Sequence, residues 1–222
     1  MDFLLMKLRL MGSLYPLMME ALEVTLGIAA AALPLAVILG LLLAAIRWAG
    51  PRSLSMLFGF CIEFLRNTPL LLQMFMIYFG VAQIGWRLDG FYCGVFAIAL
   101  QHSAFLSETF RGAIESVARG QWEAARALGM RELTTLRDII LPQAAIRVAA
   151  PIGNQLLILV KDTSLVSGIA VLDLTLTGKI IMERNAASFE VFLVVASYYL
   201  ALTVLLGFLV RLVETRLRSR IA

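Results

Sequence analysis

Charge is scarce in this chain. Only 15% of its 222 residues are Asp, Glu, Lys or Arg, while 61% are hydrophobic. Soluble domains carry about one-quarter charged residues, so the shortfall argues against an ordinary water-soluble domain and for a bilayer. Cysteine occurs twice and histidine once. Cys61 and Cys93 fall in apolar segments, where lone cysteines read as buried filler and not as a disulfide or metal site. No G-x-x-x-x-G-K-[ST] run is present, since Gly178-Lys179 is followed by Ile180. The chain therefore has no loop of its own to cradle nucleotide phosphates. Its net charge of +4 is spread over loops and not gathered with aromatics on one face, which excludes a nucleic-acid surface.

What is present is a series of long apolar runs. Residues 24–46 form 23 positions without a charge, and a hydrocarbon core needs about 20. Residues 67–86 and 191–210 are uncharged as well, and residues 91–107 continue to Phe110 with only Glu108 interrupting. A fifth run, residues 148–172, is broken by Lys161 and Asp162. The expectation is an all-α membrane protein with five transmembrane helices. No small-x-small cleavage site lies between Lys7/Arg9 and the first run, so residues 3–19 read as a short helix against the bilayer surface or the bundle. That divides the chain into an N-terminal amphipathic segment (1–19), a membrane domain (20–216) and a cytoplasmic tail (217–222). With five spans, the side holding the first and third connections and the C-terminus carries twelve arginines, against five cations opposite. The positive-inside rule then places the N-terminus outside and the C-terminus in the cytoplasm.

The longest polar stretch, residues 111–147, is rich in Ala, Leu, Arg and Glu, all good helix formers. It predicts one helix over 120–128, closed by Gly129 in the left-handed conformation. A second helix over 131–141 is expected to stop at Pro142. Two spans carry similar interruptions: Arg66-Asn67-Thr68-Pro69-Leu70 and Lys161-Asp162-Thr163-Ser164-Leu165. Thr68 suits a helix cap and Pro69 a first helical position. Matched breaks fit a substrate route at mid-membrane. They equally fit two kinks whose charges pair locally, Glu63 with Arg66 and Lys161 with Asp162.

Glu123-Ala124-Ala125, three residues, Gly129, nine residues, Ile139, one residue and Leu141-Pro142 resemble the signature of the permease subunit of a type I ATP-binding-cassette (ABC) importer. Three further runs are similar to the branch that handles polar amino acids and opines: Glu63 to Leu71, Phe105 to Gly112, and Gly120-Gln121-Trp122-Glu123-Ala124-Ala125. Gly153-Asn154-Gln155 and the Lys161 to Leu165 run match it too. The resemblance covers residues 20–216 and implies a MetI-like fold with cytoplasmic coupling helices, the coupling loop lying at about 112–147. It implies an ATPase-coupling set of Gln121, Glu123, Ala124, Ala125, Leu128, Gly129, Leu141 and Pro142. The partners implied are a cytoplasmic ATPase dimer holding the ATP and Mg, a second permease copy or paralogue, an extracytoplasmic binding protein and an amino acid. The chain itself is expected to bind no cofactor and to reside in a bacterial inner membrane.

The same resemblance implies a substrate path of Thr68, Pro69, Gln101, His102, Phe105, Asn154, Gln155, Lys161 and Asp162. Relatives often carry Asn-Ser where this chain has Gln101-His102, and Lys where it has Arg119. Some relatives thought to take cationic amino acids have Glu in place of Gln155, so its absence leans toward neutral polar or acidic substrates. His102 reads either as a hydrogen-bonded packing residue or as a ligand. An ion-coupled secondary carrier suits the paired breaks but gives no reason for the loop signature. An intramembrane serine protease using Ser167 and His102 lacks the nucleophile motif, since Leu165 stands where glycine is needed.

Overall fold

A computed structural model of the protein describes residues 12–16, 18–185 and 188–218, and all regular structure among them is helical. Most of the expected 3–19 helix lies outside the described residues. What is described, residues 12–16 and Met18, docks on the bundle: Leu14 and Met18 are buried with Leu174, Val191 and Val194. Tyr15 shares a hydrogen bond with Ser197 at 2.8 Å.

The first span, α1 (Met19–Ala49), buries Ala29, Ala32, Ala36, Gly40 and Ala44. This repeat of small residues every three or four positions lets helices approach closely in a medium where apolar side chains gain little by leaving lipid. The partner is α4 (Gly90–Glu115). A Cβ on Gly40 would sit 2.9 Å from Leu106 Cβ and 3.1 Å from the Ser103 carbonyl. α4 is the central helix of the bundle, and Asp89 caps its start by accepting from Phe91 N at 2.8 Å.

Between them run α2 (Arg52–Asn67) and α3 (Leu70–Gln83), which meet at 108°. Among the described residues, four helices are long and apolar enough to span alone, and this bent pair, counted as one, supplies the fifth. Pro69 explains the bend. Its ring forces the preceding residue out of helical geometry, and Thr68 is extended at φ −109°, ψ 143°. Thr68 does not cap α3 as expected, and Pro69 occupies the cap position with Leu70 first in the helix. Cys61 is exposed on α2, contrary to the expected burial, while Cys93 is buried on α4.

After α4 come α5 (Arg119–Ala127) and the short α6 (Glu132–Thr135). Pro142 does not stop the second of these. A π-turn, Leu136–Ile140, leads directly into α7 (Leu141–Asp162) with Pro142 in its first turn. In that wider turn the Leu141 N–H reaches back five residues to the Leu136 carbonyl. Such a bulge accommodates a residue that has no N–H and crowds the preceding turn. Helix is therefore continuous from Glu132 to Ile169, 38 residues. α7 tightens after Asp162 into a 3₁₀ segment, Thr163–Ile169, which ends at Ala170 with φ +61°.

α8 (Leu174–Asn185) and the last span, α9 (Ser188–Arg218), complete the chain. Asp173 starts α8 by accepting from Leu176 N at 2.8 Å. Gly153 lets α7 meet α9, because a Cβ there would lie 2.1 Å from Val210.

Candidate functional site

Sequence reasoning marks two regions, one beyond the C-terminal end of α4 and one at the level of the helix breaks.

In the first, α5 ends in a complete glycine closure. Gly129 has φ +71°. Its N–H donates to the Arg126 carbonyl at 2.9 Å, and the Met130 N–H donates to the Ala125 carbonyl at 3.0 Å. These are the paired bonds of a Schellman motif, which only a residue at ease with positive φ can make. Ala125 is buried against the chain itself, whereas Gln121, Glu123 and Ala124 face outward. The two alanines thus serve opposite faces, and only Ala124 is free to approach a partner.

Leu128 is 80% exposed and Leu133 is 73% exposed, one on each side of the glycine turn. Beside them lies a cleft of about 560 Å³, lined by Trp48, Glu115, Trp122, Glu123, Arg126 and Glu132 among others. Leu141 is not part of this surface. It borders an apolar groove of about 430 Å³ with Leu41, Phe110 and Val148, and Pro142 is exposed beside it. Leu133 belongs to the elbow formed by α5 and α6 but lies outside the quoted motifs; a leucine in a polar loop was the available signal.

The helix ends behind the elbow are tied to one another by polar contacts. Arg47, in the last turn of α1, pairs with Glu108 on α4. Glu108 also binds Arg111 at 2.8 Å, and Arg111 binds Glu115. Arg147 of α7 donates to the carbonyl of Ser116, the residue that ends α4.

At the breaks, the carbonyls freed at the end of α2 are met by Gln73 of α3. Its Nε2 lies 2.9 Å from the Leu65 carbonyl and 2.8 Å from Thr68 Oγ1. Thr68 in turn donates to the Phe64 carbonyl at 2.9 Å. Backbone groups at membrane depth need such partners. Gln73 is buried, and its place as an amide in the middle of an apolar run was the overlooked clue. Glu63 and Arg66 pair locally at 3.1 Å as one reading expected, and Arg66 also stacks over the Phe105 ring at 5.5 Å.

Lys161 and Asp162 do not pair. Lys161 is exposed and makes no ion pair among the described residues, because successive helical residues point about 100° apart. Asp162 instead reaches His102 Nε2 at 3.1 Å, and His102 Nδ1 lies 2.7 Å from Gln155 Nε2. Both histidine nitrogens are therefore engaged, which leaves none to activate Ser167. Asn154 is exposed on α7, and Gln101 Oε1 is buried without a partner. The structure thus joins Thr68 to Gln73, Phe105 to Arg66, and His102 to Gln155 and Asp162.

Comparison with known proteins accords with this arrangement. The chain is 41% identical over 182 residues to the probable glutamine ABC transporter permease protein GlnM of Bacillus subtilis (strain 168), covering 82% of this chain and 84% of that one. It is 36% identical over 205 residues to the glutamine transport system permease protein GlnP of Escherichia coli (strain K12), covering 91% and 94%. A crystal structure of an amino acid ABC transporter with histidines superposes with a TM-score of 0.88 at 33% identity, over 93% of this chain and 96% of that one. The inward-facing MetNI methionine ABC transporter shares the fold, with a TM-score of 0.63 at 20% identity. These matches support an ATP-driven permease, a non-enzymatic transmembrane subunit whose ATPase is a separate chain, and give the ion-coupled carrier no support. Residues 36–219 match the family model described as binding-protein-dependent transport system inner membrane component, and the chain belongs to that family.

Proposed function

We propose that this chain forms half of the translocation path of an amino acid importer, most suited to a neutral polar substrate of the glutamine type. The named glutamine permeases among its relatives support the substrate class, as does an uncharged Gln155 facing Asp162 through His102. The observation that carries the path is the polar set standing open on one isolated chain. Glu63, Asn67, Asn154 and Lys161 are all exposed, although they lie in or beside the spans. Ionisable groups at that depth need protein or water and not lipid. A second copy or a close paralogue, packed against these exposed groups of α2 and α7, would enclose them.

In this reading the N-terminus is outside and the elbow cytoplasmic. Leu128, Leu133, Gln121, Glu123 and Ala124 would seat in a cleft of an ATPase dimer, with Gly129 setting the turn. Leu141 and Pro142 act farther back, where the elbow joins α7. ATP and Mg belong to the ATPase and no cofactor to this chain. A binding protein delivers the amino acid from outside.

The test is reconstitution of this chain in liposomes with its ATPase and binding protein, with labelled L-glutamine outside. Uptake should require ATP, the binding protein and the intact elbow together. Uptake by this chain alone, driven by an ion gradient, would overturn the reading.

A further inference from the structure

His102 is the only histidine in the sequence, and its imidazole is buried at 1% exposure. It bridges α4 to α7 with both ring nitrogens, to Gln155 at 2.7 Å and to Asp162 at 3.1 Å. Those two residues are seven apart, two helical turns, and so share a face of α7. Their exposure differs from that of the ring: the Asp162 carboxylate is 31% exposed, and Gln155 is half-buried. The histidine stands behind the wall and the other two are part of it.

Hydrogen-bond chemistry fixes the arrangement. An ionised carboxylate only accepts, and a neutral imidazole has one donor and one acceptor. Asp162 therefore takes the Nε2–H, and Nδ1 is left as the acceptor. Gln155 must then turn its NH₂ to the ring, which leaves its carbonyl oxygen with no protein partner among the described residues. The wall offers two acceptors two turns apart on one face of α7, a carbonyl oxygen and the second carboxylate oxygen. Each suits an N–H donor of a ligand, such as a carboxamide or an α-ammonium group.

We propose that His102 is a positioning residue that sets amino acid preference from behind the route, by fixing which end of the Gln155 amide and which oxygen of Asp162 meet the substrate. The proposal rests on the reading above that this face lines the path. His102 itself touches no substrate; it acts through its two partners.

The test uses the full transporter in proteoliposomes, with labelled L-glutamine and unlabelled L-glutamate or L-arginine as competitors. His102→Asn, too short to hold both partners, should raise KM for glutamine about tenfold, with a smaller change in kcat. It should also weaken discrimination against glutamate. Gln155→Leu should do the same, and the double variant should be no worse than either single one, since contacting residues acting as a unit are non-additive. Additive losses, or a fall in kcat at constant KM, overturn the proposal.

Nitrogen-15 NMR of the labelled single histidine supplies a measurement that needs no variant to fold and no transport. It should show the hydrogen on Nε2 and a bare Nδ1. A hydrogen resident on Nδ1 overturns the proposal while leaving the importer reading intact. Wild-type vesicles that take up none of the three amino acids overturn that reading, and this proposal with it.

Discussion

At the elbow the backbone is closed by the chain's own hydrogen bonds, while two leucines, Leu128 and Leu133, stand in the open. At the helix breaks the pattern inverts. Apolar neighbours such as Ile98, Leu106 and Val166 are packed, and polar groups on Asn67, Asn154 and Lys161 are the ones left exposed. A surface that lacks only apolar cover is completed by a protein cleft. One that lacks only polar cover is completed by water, a polar solute or a matching polar wall. The two regions thus call for different partners.

The largest expected effect tests the apolar half of this contrast. Replacing Leu128 and Leu133 together by Asp forfeits roughly 1.5–3 kcal/mol for each leucine that a partner would bury. ATPase affinity, read by copurification, should fall at least about a hundredfold. Retained copurification with normal uptake would show that the leucines are not the grip.

Next comes the difference between the two breaks. Ser164→Pro would impose on the second break what Pro69 does at the first. It removes a backbone donor inside a continuous helix, at about 3 kcal/mol, and uptake and thermal stability in detergent should both collapse. An unchanged melting temperature would mean that the 3₁₀ segment already tolerates the bend.

A smaller loss is expected at the glycine turn. No atom lies within 4 Å of a Cβ built on Gly129, yet its φ is +71°. Gly129→Val should cost about 1–2 kcal/mol through conformation alone, lowering uptake about tenfold. Gly129→Asn, which accepts the left-handed region, should keep most of it. If Asn is as damaging as Val, a partner packs directly on this spot and sterics decide.

The smallest effect lies in the turn beyond the fourth span. Burial pushes the Asp173 carboxyl above its usual range, against hydrogen bonds from Leu176 and Thr175 that pull it down. A carboxyl that holds its proton more tightly when folded stabilises the fold most below its unfolded value, about 4. That contribution is lost as pH rises toward the folded value. Asp173→Asn keeps an acceptor for the start of α8, so melting temperature at neutral pH should hold or rise slightly. A clear fall would mean that the ionised carboxylate is itself stabilising.

Legibility in the sequence followed how local each cause was. Gly129 and the apolar runs act within a few residues or within one bilayer thickness, and they were readable. Pro69 and Ser164 occupy equivalent places in two similar runs, but only proline lacks an N–H and restricts its predecessor, so one run bends and the other merely tightens. Pro142 misled for a related reason: the π-turn before it is a tertiary accommodation with no sequence mark. The partners of Asp162 and the opposed faces of Ala124 and Ala125 depend on where α4 and the elbow sit in space. Neighbour spacing along the chain cannot report that.

The uninterrupted helix from Glu132 to Ile169 has a mechanical consequence. Thirty-eight residues at 1.5 Å each make a strut about 57 Å long. Its foot stands at the elbow, and Asp162 and the 3₁₀ segment lie toward its head. No loop interrupts it, and Pro151 is an interior point at which it can bend. Tipping the foot by a few degrees as a rigid body would swing the head through several ångströms and carry Gln155 and Asp162 past their neighbours on α4.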